Sequence, residues 1–285
     1  MVVACASIAA ACSSDDPDVV PTSTSAVPEG IAEYEVEVDG EARTYGVFSP
    51  PGTPTGSPIL VVLHSLGRSA SEEIPIAGAG AFLSVVPIGV DFSWNAGHCC
   101  GAAAARDLDD VAFVATVIDE VVERYSADPD RVYVAGFSNG AMLAYRIACE
   151  RPGLLAGAAV VEGTLTIDEC HADGATDLLV VHQTGDTIVP YAGTDASPIA
   201  DDGRLLGVEA ALGRYGEAAG CAVGGAIDTN TNSDETVDCG AGGRLRVVVV
   251  AGGTHSWPDG EGAGGAVDAT DLVVSFFGLR DSGSA

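Results

Sequence analysis

Two alternating stretches begin the regular pattern of the chain, Tyr34-Glu35-Val36-Glu37-Val38 and Thr44-Tyr45-Gly46-Val47-Phe48, with Asp39-Gly40 between them. Period-two alternation marks strands with one buried face, and Asp-Gly is a turn that closes an antiparallel hairpin. Pro58-Ile59-Leu60-Val61-Val62-Leu63-His64 is instead a continuous apolar run. A strand covered on both faces reads this way. Further strands are predicted at 83–90, 131–135, 157–161, 177–182 and 245–250. From Arg106 to Tyr125 the apolar residues Val111, Val114, Ile118, Val121, Val122 and Tyr125 share one helical face, with Asp107, Asp109 and Asp110 at its positive end. Asp128-Pro129-Asp130 breaks that helix. Other helices are predicted at 141–148, 205–219 and 268–279. Strand alternating with helix at this spacing implies an α/β domain over 31–285. Its sheet is mostly parallel and doubly wound, with helices on both faces and the hairpin at its N-terminal side.

The segment before that domain has a different character. Residues 1–12 are small and apolar, and Ala9-Ala10-Ala11-Cys12 resembles a bacterial lipoprotein cleavage box, which makes Cys12 a lipidation candidate. Ala9 stands where a larger aliphatic residue is usual, and no positive segment precedes the run. Residues 13–30, rich in Ser, Thr, Pro and Asp, read as a flexible tether. The expectation is an exported bacterial protein, extracellular or held at the cell surface by a lipid anchor. The hydrophobic fraction of 47% suffices for a full core, while 41 acidic residues against 12 basic ones give a formal net charge of -29. Every basic residue is Arg. Such a surface repels nucleic acid and anionic membranes and favours solubility. Cysteine usage agrees with export. Cys221 and Cys239 flank a turn-rich segment and make the expected local bridge. Cys99 and Cys100 are adjacent and would strain if joined, so a distant partner such as Cys170 is expected. No C-x-x-C pair or paired His spacing accompanies these residues, and no metal is expected.

Chemistry concentrates at Gly136-Phe137-Ser138-Asn139-Gly140, a G-x-S-x-G spacing between the run 131–135 and the helical stretch 141–148. A serine between a buried strand and a helix sits on a sharp turn that pushes its hydroxyl out at the carboxyl edge of the sheet. A hydroxyl becomes a useful nucleophile only when a base takes its proton and a third group holds that base. In this architecture the order is Ser, acid, His, each after its own strand. Asp186 in Thr184-Gly185-Asp186 follows the strand ending at His182, and His255 in Gly253-Thr254-His255-Ser256 follows the strand ending at Val250. Of the five histidines, His64 and His182 end strands but are followed by the wrong segments. His98 and His171 lie beside cysteines and read as structural. Ester chemistry also needs oxyanion donors, each worth about 3 kcal/mol when removed. The backbone N–H of Asn139 is one. The turn His64-Ser65-Leu66-Gly67 supplies the other, assigned to Leu66 with Ser65 as the alternative. Trp94 and Trp257 are candidate apolar walls of the substrate site.

Several segments together resemble the polyhydroxybutyrate depolymerase and feruloyl esterase family of secreted α/β-hydrolases. They are Trp94-Asn95-Ala96-Gly97-His98-Cys99-Cys100-Gly101, Asp109-Asp110-Val111-Ala112-Phe113, Asp128-Pro129-Asp130-Arg131-Val132-Tyr133 running into the G-x-S-x-G stretch, Val189-Pro190-Tyr191, and Thr254-His255-Ser256-Trp257-Pro258. The resemblance runs from about Tyr34 to the C-terminus and implies the α/β-hydrolase fold, with nucleophile, acid and base at Ser138, Asp186 and His255. It departs where the family usually has His-Gly and this chain has His64-Ser65. Where the family often has Cys before the Asp-Pro turn, this chain has Ser126, which leaves Cys149 without that partner. The expectation is a monomeric serine esterase without cofactor, acting on a polyhydroxyalkanoate-type polyester or oligomer. Feruloyl or acetyl esters of plant polysaccharide are the alternative substrates. A catalytically inactive cell-surface binding protein on the same fold is the alternative from another functional class.

Overall fold

Ile59, Val61 and Leu63 pack into one core, while Leu60 and Val62, between them, pack into another. That division is what an all-apolar strand implies, and it carries through the sheet. In the computed structural model, residues 31–69, 76, 80–223, 227–261 and 267–280 are described. The signal-like segment 1–12, Cys12 and the tether 13–30 lie outside them. Among the described residues the strands are β1 (Ala32–Val38), β2 (Glu41–Phe48), β3 (Ile59–Leu63), β4 (Leu83–Pro87), β5 (Val132–Phe137), β6 (Gly157–Val161), β7 (Asp177–Gln183), β8 (Ser233–Asp238) and β9 (Arg244–Val250). They form one sheet in the order β1-β2-β4-β3-β5-β6-β7-β9-β8. Pairing is parallel from β4 to β9 and antiparallel at both ends.

The helices α1 (Gly101–Ala105), α2 (Asp110–Tyr125), α3 (Asn139–Glu150), α4 (Val208–Ala219) and α5 (Ala269–Phe276) divide between the two faces. Apolar residues of α2, α3 and α4 fill the first core, and those of α5 with Phe82 and Ile76 fill the second. The helix expected from Arg106 begins only at Asp110, because Asp109 is its N-cap and accepts the Ala112 N–H at 2.8 Å. The strand expected to reach residue 90 stops at Pro87, and a 3-10 turn spans Val90–Phe92. Strand β8 has no apolar signal, since Ser-Asp-Glu-Thr-Val-Asp lies largely exposed at the sheet edge. Acidic side chains there blunt an edge that would otherwise pair with another chain.

The parallel register places all the strand ends of interest at one edge. Leu63 pairs with Gly136, Phe137 with Val161, Val161 with Val181, and Gln183 with Val250. The residues that follow each strand therefore emerge side by side.

Three disulfides are present among the described residues. Cys221–Cys239 forms as expected. Cys170 joins Cys149, not Cys99 or Cys100. The loop after β6 runs back along the end of α3, where the His171 N–H donates to Cys149 O at 3.0 Å and brings the two cysteines together. Cys99 and Cys100 are joined to each other. The distant partner expected for them is not found, since Cys170 is taken by Cys149.

One buried ion pair ties the hairpin to the helical layer. Arg43 of β2 donates to Asp110 Oδ1 at 2.7 Å with its guanidinium over the Phe113 ring, and Asp110 Oδ2 accepts the Asn95 N–H at 2.7 Å. Asp110→Ala would strand a buried guanidinium, so a loss of about 3–5 kcal/mol is expected in chemical denaturation. The double variant Arg43→Met/Asp110→Leu should recover much of it. Equal losses in both variants would contradict this account.

Candidate active site

Ser138 leaves β5 with φ 54 and ψ -117, a backbone region that residues with a Cβ seldom occupy. It is held there from both sides. Its N–H donates to Val161 O on β6, and its carbonyl accepts the Met142 N–H, the first bond of α3, each at 3.0 Å. The flanking glycines are required by close approach. A Cβ on Gly136 would collide with the backbone of Gly140, and one on Gly140 with the carbonyls of Leu63 and His64. The turn thus presses α3 onto the end of β3.

The expected partners converge on this serine. His255 Nε2 lies 2.9 Å from Ser138 Oγ, and His255 Nδ1 lies 2.6 Å from Asp186 Oδ2. Asp186 Oδ1 accepts the N–H groups of Ile188 and Val189 at 2.7 and 2.9 Å. Those contacts orient the carboxylate, and the carboxylate fixes the tautomer with the proton on Nδ1 and a free lone pair on Nε2. Burial pushes the Asp186 carboxyl upward, but the bonds from His255, Val189 and Ile188 outweigh it and leave the group below its ordinary value. The His255 ring stacks on Phe137 at 5.0 Å, and its side chain stays 16% exposed. The loop carrying it is braced by Gln183, whose side-chain amide donates to Thr254 O and Ser256 O at 2.6 and 3.0 Å.

The oxyanion candidates emerge on neighbouring strands. Asn139 is the first residue of α3, so its N–H has no acceptor within the helix. Its side chain clamps Trp94, accepting the Trp94 N–H at 2.8 Å and donating to Trp94 O at 3.0 Å. The turn holding Ser65 and Leu66 follows β3 beside this elbow. His64 shapes it: Nδ1–H donates to Ser65 O at 2.8 Å, while Nε2 accepts the Gly89 N–H at 3.0 Å. The peptide linking Ser65 to Leu66 is planar, so with its carbonyl turned toward His64 the Leu66 N–H faces the other way.

Both tryptophans depart from the expectation that they form substrate walls. Trp94 is fully buried, donates from Nε1 to His64 O at 2.9 Å and packs against the rings of His64 and Phe113. Trp257 is also buried, donates to Thr270 Oγ1 at 3.1 Å and meets Phe137 edge-on. Each ring is enclosed because its own loop folds back over the core, which local sequence does not announce.

Other groups at this edge escaped the sequence reading. Glu162, immediately after β6, is fully buried with φ 51, and its Oε1 accepts the Gln183 N–H at 2.9 Å. Its only sequence signal is an acid at the carboxyl end of a buried strand. His182 is fully buried and directs Nε2 to Val189 O at 2.9 Å; burial keeps it neutral by lowering its pKa. Among the described residues, Glu162, Asp186 and His255 alone group as cation ligands, with atoms within 4.8 Å of one another. Two of these are already engaged with each other in the line to Ser138, and the disulfides leave no thiolate at Cys99, Cys100, Cys149, Cys170, Cys221 or Cys239. His98 meets Asp168 at 3.1 Å on the surface.

No family model matches the chain. It is 31% identical over 255 residues to the protein NocK of Nocardia uniformis subsp. tsuyamanensis, assigned as an esterase, covering 79% of this chain and 74% of that one. Feruloyl esterase B of Piromyces equi is 25% identical over 230 residues, covering 72% and 40% respectively. Poly(3-hydroxybutyrate) depolymerase of Ralstonia pickettii is 25% identical over 271 residues, covering 82% and 55%. The chain thus spans about half or less of the length of the last two. Among solved structures, an acetyl xylan esterase from Aspergillus awamori superposes with a TM-score of 0.58 at 15% identity, over 87% of this chain and 100% of that one. Thermogutta terrifontis esterase 2 superposes with 0.57 at 15% identity, over 89% and 97%. These superpositions show the α/β-hydrolase fold.

The neutral, buried His64 gives the turn after β3 a dependence on acid. Burial drives its pKa down to about 4 from 6.5, against the opposing pull of the Ser65 carbonyl. The unfolded chain binds that proton more readily, so the contribution is complete above about pH 6.5 and is lost as pH falls toward 4, by about 3 kcal/mol. The melting temperature should fall across this window, and less steeply in His64→Gln. Parallel slopes for the two proteins would refute the assignment.

Proposed function

The chain belongs to the esterase family of α/β-hydrolases, and from that membership we propose that it hydrolyses carboxylic esters through Ser138, His255 and Asp186 by way of an acyl-enzyme. The observation that carries this reading is the unbroken line of hydrogen bonds from Ser138 Oγ to His255 Nε2 and from His255 Nδ1 to Asp186. His255 Nε2 accepts the hydroxyl proton as Ser138 Oγ attacks the ester carbonyl. Asp186 stabilises the imidazolium that results. The developing oxyanion faces the N–H of Asn139 and, from the adjoining turn, that of Leu66. Collapse returns the proton from His255 to the leaving alcohol. Water, deprotonated by the same nitrogen, then releases the acid.

For the substrate, relatives named as polyester depolymerases support a polyhydroxyalkanoate-type polyester or oligomer. Relatives named as feruloyl and acetylxylan esterases support a second reading, an ester of a feruloylated or acetylated polysaccharide. Export remains part of the proposal, supported by three disulfides of the kind that persist in oxidising compartments, and so does a lipid anchor at Cys12, which rests on the sequence Ala9-Ala10-Ala11-Cys12 alone. No helix among the described residues is long and apolar enough to cross a membrane.

Ser138→Ala should lower turnover of p-nitrophenyl acetate by about 10⁶-fold, and Asp186→Asn by about 10⁴-fold, with the fold intact. A fluorophosphonate probe should label the wild type and leave Ser138→Ala unlabelled. Undiminished turnover in Ser138→Ala would sink the reading, and an unlabelled wild type would point to an inactive binding protein. Release of 3-hydroxybutyrate from polymer, compared with ferulate from methyl ferulate, decides between the substrate classes.

A further inference from the structure

Glu162 is a buried acid that none of the steps above uses. Its Oε1 takes the Gln183 N–H, whereas Oε2 is buried and accepts no N–H or O–H among the described residues. The titratable groups facing it are His182 from β7, Asp186 from the loop after β7, and His255 from the loop after β9. His182 Nε2 lies 3.6 Å from Glu162 Oε2 and 3.9 Å from Asp186 Oδ2, but sends its proton to Val189 O. It therefore neutralises neither acid. One oxygen of Glu162, one oxygen of Asp186 and a ring nitrogen of His255 lie within 4.8 Å of one another.

Two carboxylates this close and this buried do not both ionise. Asp186 has three donors, from Ile188, Val189 and His255, and Glu162 has one. The anion belongs where the donors are. The proton belongs on the orphan oxygen of Glu162, and the oxygen it can serve is Asp186 Oδ2, since Oδ1 is already filled by two N–H groups.

We infer that Glu162 is a positioning residue, a neutral carboxylic acid whose Oε2–H donates to Asp186 Oδ2 and shares that oxygen with His255 Nδ1–H. Two effects follow. The carboxylate of Asp186 is held from a third side, and charge is drawn from the oxygen on which the imidazolium rests. Burial and the neighbouring Asp186 charge both push the Glu162 carboxyl well above the usual carboxylate range, in keeping with this placement of the proton. The inference rests on Ser138, His255 and Asp186 being the reacting set.

The test uses Glu162→Gln and Glu162→Leu. In Glu162→Gln the side-chain carbonyl can still accept the Gln183 N–H, and the amide can still donate to Asp186. Leucine does neither. With p-nitrophenyl acetate, the acid limb of the kcat/KM profile should move to higher pH in Glu162→Leu by about one unit, because an unshared Asp186 charge holds the His255 proton more tightly. Glu162→Gln should restore the limb to within about 0.3 unit of wild type. The infrared difference spectrum, wild type minus Glu162→Gln at pH 8, should show the C=O stretch of a protonated carboxyl. An unmoved acid limb in Glu162→Leu, or carboxylate bands in the difference spectrum, would overturn the inference. Should the leucine variant not fold, the infrared spectrum decides alone. It reports on Glu162 whether or not Ser138→Ala retains turnover, so failure here is distinguishable from failure of the proposed function.

Discussion

The strained backbone at Ser138 can exist only while its surroundings hold it, and much of the structure is arranged to do so. A non-glycine residue at φ 54 and ψ -117 costs about 1–3 kcal/mol. The sheet restrains the serine through Val161 O, and the first turn of α3 restrains it through Met142 N. Both contacts require α3 to start almost against the strands. Gly136 and Gly140 leave that space, and Gly163 does the same for the next loop, where a Cβ would run into Ala141. The strain and the missing side chains are two descriptions of one close approach.

From that approach the rest of the site follows by register. Parallel pairing brings the ends of β3, β5, β6, β7 and β9 to one edge, so groups far apart in sequence arrive together without a long loop having to find its place. What remains is orientation, and buried polar side chains provide it. Asn139 clamps Trp94, Trp94 and His64 secure the turn after β3, and Gln183 holds the loop of His255. Each of these groups is buried and hydrogen-bonded, so removing any one strands a partner in a region water does not reach.

The legible part of this arrangement was the part written in local pattern. The hairpin, the all-apolar β3 and the helical faces are each visible within a few residues, and so is the position of Ser138, Asp186 and His255 just after a strand. Strand β8 was not, because an exposed edge strand needs no apolar alternation. The enclosure of Trp94 and Trp257 was not, because whether a loop aromatic faces solvent or core depends on how the loop folds back. Pairing of Cys170 with Cys149 depends on one loop passing the end of α3, a tertiary fact. Glu162 was missed for the same reason. A lone acid after a strand means nothing until its neighbours are known to be Asp186 and His182.

The number of charges near His255 matters as much as their placement. In the proposed reaction the imidazole takes a proton from Ser138 and then gives it to the leaving alcohol, so its proton must be held neither too loosely nor too tightly. One buried carboxylate stabilises the imidazolium in the first step. A second, unscreened in the same pocket, would stabilise it further and slow the return of the proton in the next. A neutral Glu162 keeps the count at one and still fills the space beside Asp186. Among 41 acidic residues on this chain, Glu162 has burial and the Asp186 charge both opposing ionisation, and a role that depends on its proton.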